Sequence, residues 1–169
     1  MLHAVDRVAE YHQRLLALVE HDVVGLAAAM PADCYDFRPP AGAFTGARTF
    51  GEQVKHVATV IFLTAAIVLD EKSPYAPGSH DNGPDEVQGK DAIVAYLISS
   101  IAYARRAMAS LTEENALEPL KTCFGAQPRS QIAAGVFYHS YDHYGQMVVY
   151  ARMNGVVPPS AADDVLKTL

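Results

Sequence analysis

Apolar side chains recur every three or four positions along four stretches of this chain, the spacing of helices that bury one face. The first stretch, from about Leu2 to Ala29, carries Val5, Val8, Leu15, Val19 and Leu26 in step. Pro31 stops it, because proline cannot continue the hydrogen-bond ladder. Thr49 and Glu52 form the signature of a capping box ahead of a second helix that runs to about Leu69. A third covers roughly Lys90 to Leu111, with Ile93, Leu97, Ile101, Ala104 and Met108 facing inward. The fourth begins near Ser130 and stops at Asn154, where Gly155 suits a left-handed cap and Pro158-Pro159 block continuation. Proline- and glycine-containing loops, 31–48, 71–89 and 112–129, separate the four. The loop 71–89 is too long for a tight turn between neighbouring helices and reads as a crossover along the outside of a bundle. No segment carries a convincing strand pattern. The expected fold is therefore all-α, a four-helix bundle with long crossover connections, occupying residues 1–169 as a single domain.

Composition narrows the class of partner. Of 169 residues, 50% are hydrophobic and 19% charged, which is globular rather than disordered. The net charge of -6 argues against a nucleic-acid or anionic-membrane binder, since either favours a basic face. The most apolar run, Val57 to Leu69, falls short of the roughly 20 residues that span a bilayer. The N-terminal residues form no continuous apolar leader, and Cys34 and Cys123 form no CxxC pair. Two free thiols in a reducing cytoplasm and a small-molecule partner are the expectations.

In such bundles, sites are built from side chains projecting inward from facing helices. The seam of the fourth helix reads Ile132, Val136, His139, His143, Gln146, Tyr150, Met153. His139 and His143 are four residues apart and share a face. Burying two imidazoles without partners is costly. A shared metal ion would satisfy them, and so would hydrogen bonds to tyrosines or water. The second helix adds His56, on a stripe reading Gln53, His56, Val60, Leu63, Ile67, beside the seam Phe50, Val54, Val57, Ile61, Thr64, Val68. One inward histidine is commonly a core residue, whereas three on the seams of one small bundle point to a site. His12, between Val8 and Leu15, is a weaker candidate for the pocket. His3 and His21 fall half a turn out of phase with it, and His80 lies in the crossover.

Other chemistries fit poorly. Ser140 stands where an HExxH protease would carry its glutamate, and neither His139 nor His143 has a glutamate three residues before it. There is no GxSxG, Walker A or GxGxxG motif. Asp142 adjoins His143 but is displaced by about 100° around the helix, so it is not automatically an orienting carboxylate.

The segments Arg48-Thr49-Phe50-Gly51-Glu52-Gln53-Val54-Lys55-His56 and His139-Ser140-Tyr141-Asp142-His143-Tyr144-Gly145-Gln146 resemble the DinB-like (YfiT-like) superfamily. The stretch Tyr35 to Pro40 is similar too, and helix order, crossover and the closing Gly155-Val156-Val157-Pro158-Pro159 extend the likeness over nearly the whole chain. The resemblance implies a bundle, often homodimeric, in which His56, His139 and His143 hold a divalent metal and Gln146 supports them. Imidazole ligands suit zinc or nickel. Tyr144 stands where the family motif often carries arginine, so a contact that depends on that arginine is not carried over. Three protein ligands leave positions open for water or substrate, and a metal there lowers the pKa of water or a thiol. Family members include transferases that use low-molecular-weight thiols and metal-dependent hydrolases or isomerases. The resemblance thus implies a metal-dependent thiol S-transferase or hydrolase acting on a small molecule, with a low-molecular-weight thiol as co-substrate in the transferase case. The alternative is a non-catalytic, stress-associated metal-binding dimer. Tyr103, Tyr138, Tyr144 and Tyr150 are candidate pocket residues. A solvent-connected cavity beside the histidines would favour the enzyme, and a closed site the alternative.

Overall fold

The computed structural model describes residues 6–40 and 46–159. The Asp6 carboxylate accepts from the Val8 N–H at 2.9 Å and caps α1 (Arg7–Val19). The expected start near Leu2 falls on residues outside the described set. The helix continues through a π-helical stretch, Glu20–Val24, into α2 (Gly25–Ala29), forming one rod. Its buried positions include His12, Leu16, Val19, Val23 and Leu26, so Leu16 takes the core position expected for Leu15, which is half-buried. The 4-3-4 spacing from His12 fixes that choice.

The capping box is present at the start of α3 (Phe50–Leu69). Thr49 Oγ1 accepts from the Glu52 N–H at 3.1 Å, and the Glu52 carboxylate accepts from the Thr49 N–H at 2.7 Å. The later helices are α4 (Lys90–Ala109) and α5 (Arg129–Met153), the last followed by Gly155 at φ 73°. Between them the expectation of an irregular loop is corrected. β1 (Pro119–Thr122) and β2 (Gly125–Pro128) pair as an antiparallel hairpin. Its turn is tied by Thr122 Oγ1, which accepts from the Phe124 N–H and donates to the Gly125 carbonyl.

Residue pairings fix the helix directions. Gly51 approaches Ile93 and Phe62 stacks with Tyr103, so α3 and α4 run parallel. Gln53 meets Gln146 near one end of α3 and the Val68 carbonyl meets Arg129 near the other, so α5 runs opposite to α3. The first rod opposes α4, through Gln13 with Arg105 and Ala28 with Lys90, and parallels α5, through His12 with Ser130 and Asp22 with Tyr141. The arrangement is up-down-down-up. Two consecutive parallel helices oblige the chain to travel back along the bundle, and residues 71–89 make that return. The core includes Leu16, Leu26, Met30, Phe50, Ile61, Leu97, Ile101 and Met147, all essentially inaccessible. Each such side chain contributes about 1.5–3 kcal/mol by burial. By length and composition α3 passes for a membrane span, yet 61% of its most apolar stretch is buried inside the bundle, as in a core helix.

The crossover does more than connect. Arg48 donates to the Asn82 side chain and to the His80 carbonyl, both at 2.8 Å, and Lys55 donates to the Pro84 carbonyl at 2.8 Å. These contacts lay residues 80–84 against the first half of α3. Gly83 is required there: its φ is 74°, and a Cβ would lie 2.7 Å from Thr59 Oγ1.

Candidate metal centre

α3 and α5 run antiparallel, so His56, seven residues into one helix, faces the His139–His143 pair halfway along the other. The three rings converge, with centroids 4.6–5.1 Å apart. One nitrogen from each lies within 4.8 Å of the others, the spacing of a potential metal site. His56 and His143 are buried and His139 is half-buried.

Hydrogen bonds set two of the three rings. His56 Nδ1 donates to the Asp81 carbonyl at 3.0 Å, an acceptor presented by left-handed backbone at His80 and Asp81 (φ 56° and 57°). His143 Nδ1 donates to Gln53 Oε1 at 2.7 Å. Gln53 Nε2 in turn donates to Gln146 Oε1 at 3.0 Å. Both rings therefore carry their proton on Nδ1 and leave Nε2 with a free lone pair, the tautomer a metal ligand needs. His139 Nδ1 is buried without a hydrogen-bond partner. An orphaned ring nitrogen beside two pre-oriented imidazoles fits a cation and fits a dry hydrogen-bond network poorly.

Electrostatics point the same way. Burial, reinforced by the other two imidazoles, lowers the pKa of His139 to about 4. Burial and the neighbouring His56 lower that of His143 to about 4 as well. The pKa of His56 is lowered by burial and then by Arg48, against an opposing pull from its bond to Asp81. All three rings are neutral at neutral pH, as metal coordination requires.

The remaining candidates separate. Gln146 is exposed, and it reaches the centre through Gln53 rather than by touching a histidine. The direct partner of His143 is thus Gln53, a residue the α3 stripe contains but whose role only the fold reveals. His12 stands apart, with Nδ1 2.9 Å from the Val8 carbonyl and Nε2 3.2 Å from that of Ser130. Nine residues of α5, roughly 13 Å, separate Ser130 from His139. The Asp142 carboxylate reaches back to 3.9 Å from His143 Nε2, so the helical offset does not remove it from the centre. Tyr138 lines a cavity together with His139. Tyr150 donates to the Arg48 carbonyl at 3.2 Å, Tyr103 donates to Glu71 at 3.1 Å, and Tyr144 packs edge-on against Tyr141. That cavity, about 750 Å³, lies between α3, α5 and the hairpin, with His139 in its wall. Cys34 is half-buried and Cys123 exposed, and neither forms a disulfide.

Fold and centre together define a small helical bundle with a three-histidine cluster on an inner seam. The family model described as the DinB superfamily matches residues 7–147, and the chain belongs to that family. A crystal structure of a DinB-like protein from Bacillus cereus ATCC 10987 aligns with a TM-score of 0.67 at 17% identity, covering 89% of this chain and 95% of that one. At that identity the likeness shows the fold. No curated protein matches the chain in sequence.

Proposed function

We propose that the chain is a divalent-metal enzyme acting on a small molecule, a low-molecular-weight-thiol S-transferase or a hydrolase, with His56, His139 and His143 as the ligands. The observation that carries this reading is the convergence of three neutral imidazoles beside an open cavity of about 750 Å³. Neutral nitrogen donors suit zinc or nickel. A cation held there would supply Lewis-acid activation of a thiol or water nucleophile. The chain's own part is to hold the rings. The Asp81 carbonyl orients His56, Gln53 orients His143, and Gln146 steadies Gln53. The Asp142 carboxylate lies at the exposed edge of the centre, 3.9 Å from His143 Nε2. A cytoplasmic location and a homodimer belong to the same reading, and light scattering checks the second.

The test is elemental analysis of tag-free protein followed by a screen of the metallated form against thiol-conjugation and ester or amide hydrolysis panels. One divalent ion per chain with turnover in one panel is expected. A bound ion with no turnover in any panel would move the protein to the non-catalytic alternative.

A further inference from the structure

The cavity beside His139 has a chemical character that narrows what can enter it. One wall is the half-open stripe of α3, through Val60, Leu63 and Ile67, and the other is Ile132 and Gly135 of α5. The hairpin tip closes one side with Cys123 and Phe124. Among the described residues lining it, Lys121 is the one permanently charged side chain. Gly135 keeps the space open. A Cβ there would lie 3.2 Å from the Tyr138 hydroxyl and 3.7 Å from Thr64 Cγ2, so any side chain would grow into the cavity. Glycine inside a helix is destabilising relative to alanine, and here its absent side chain is what leaves room. Phe124, at the rim, is 86% exposed.

We propose that this groove takes the apolar body, aromatic or branched aliphatic, of a small ligand whose polar end reaches the three-histidine cluster. The polar end rests on the metal-centre reading, and the apolar body does not. A volume of about 750 Å³ lies within the 300–1,000 Å³ typical of ligand pockets and far exceeds what a two- or three-carbon acid fills. The groove ends at the His139 imidazole, the one member of the three-histidine cluster among its described lining residues. Cys123 at the rim supplies a reporter, because an occupant of the groove shields it.

The experiment uses the full chain, zinc-loaded and with Cys34→Ser so that Cys123 is the one thiol labelled. The probe is 1-anilinonaphthalene-8-sulfonate, an apolar two-ring body with one anionic group. Saturable fluorescence at one probe per chain is expected, and saturating probe should slow alkylation of Cys123 by N-ethylmaleimide at least fivefold. Gly135→Leu should weaken the probe tenfold or more with zinc stoichiometry unchanged. Should that variant not fold, Leu63→Gln on the opposite wall should weaken it in the same direction. Equal probe affinity in the wild-type chain and the folded wall variants would overturn the proposal, as would unchanged Cys123 reactivity under saturating probe. So would a change in the mass of the assembly in solution, rather than in probe affinity, on filling the groove, since that would mean a second copy covers it. Loss of zinc in His139→Ala/His143→Ala with probe binding retained would support the groove independently. A wild-type chain that binds probe but no zinc would remove the metal reading alone.

Discussion

Among the described residues, two places in this bundle bury imidazoles, and they are built in opposite ways. At the junction of α1 and α5, each nitrogen of His12 faces a backbone carbonyl, Val8 on one side and Ser130 on the other. On the seam between α3 and α5, two histidines spend only Nδ1 on a hydrogen bond, and the third leaves its Nδ1 buried with no partner. Burial is similar, 5% exposure for His12 against 7% for His56 and His143. What separates structure from site is the count of acceptors around each ring. A ring enclosed by carbonyls ties two helices together. A group of rings pinned from behind, with lone pairs turned to one another, is arranged to receive something.

The pH response of the three-histidine seam should be the largest effect. In the metal-free chain, the unfolded state takes up protons on His139 and His143 below about pH 6.5, and the folded state resists until about pH 4. Because the unfolded chain binds more protons in that window, stability should fall as pH drops from 6.5 towards 4 and level off below. With about 1.4 kcal/mol for each tenfold change, the loss should amount to a few kcal/mol. Urea melts at a series of pH values would measure it. The slope should flatten in His139→Ala, and a wild-type stability flat across the window would contradict the electrostatic account.

A smaller effect should follow from the support behind the rings. Gln53→Ala should weaken zinc about 10–100-fold, the usual cost of removing a group that orients a ligand. Gln146→Ala should cost less, since it is exposed and acts one hydrogen bond further away. Competition titrations with a chromophoric chelator would rank the two, and an equal or reversed ranking would break the proposed relay. The smallest effect is on the structural histidine. His12→Ala should destabilise the fold by about 1 kcal/mol through the lost hydrogen bond of its one ring N–H and leave zinc affinity unchanged.

Much of this was legible in the chain. Thr49, Glu52 and Leu69 bound α3 as expected, because a capping box is a local signal that tertiary context has little reason to override. The histidine seam was legible too, since a four-residue step on a buried stripe survives any plausible packing. The hairpin was not. Its strands are four residues each, half of them exposed and none fully buried, and their sequences carry no alternation of apolar and polar positions. Its order comes from the Thr122 hydroxyl and from residues that pack against it. Nor could the partners of the rings be read from spacing. Asp81 offers a backbone carbonyl from a loop 25 residues away, and Gln53 becomes the partner of His143 only when antiparallel packing joins positions 90 residues apart. Helical phase displaces Asp142 from the histidine face, and its carboxylate stays largely exposed and 3.9 Å from His143 Nε2, beyond hydrogen-bond distance.

The most direct test of the central claim is a calorimetric zinc titration of the tag-free chain beside four single variants, His12→Ala, His56→Ala, His139→Ala and His143→Ala. The wild-type chain and His12→Ala should each bind one ion per chain with the same affinity, and the other three should lose stoichiometric binding. Retention of full stoichiometry and affinity by His56→Ala and His139→Ala, or a loss in His12→Ala equal to theirs, would contradict the account.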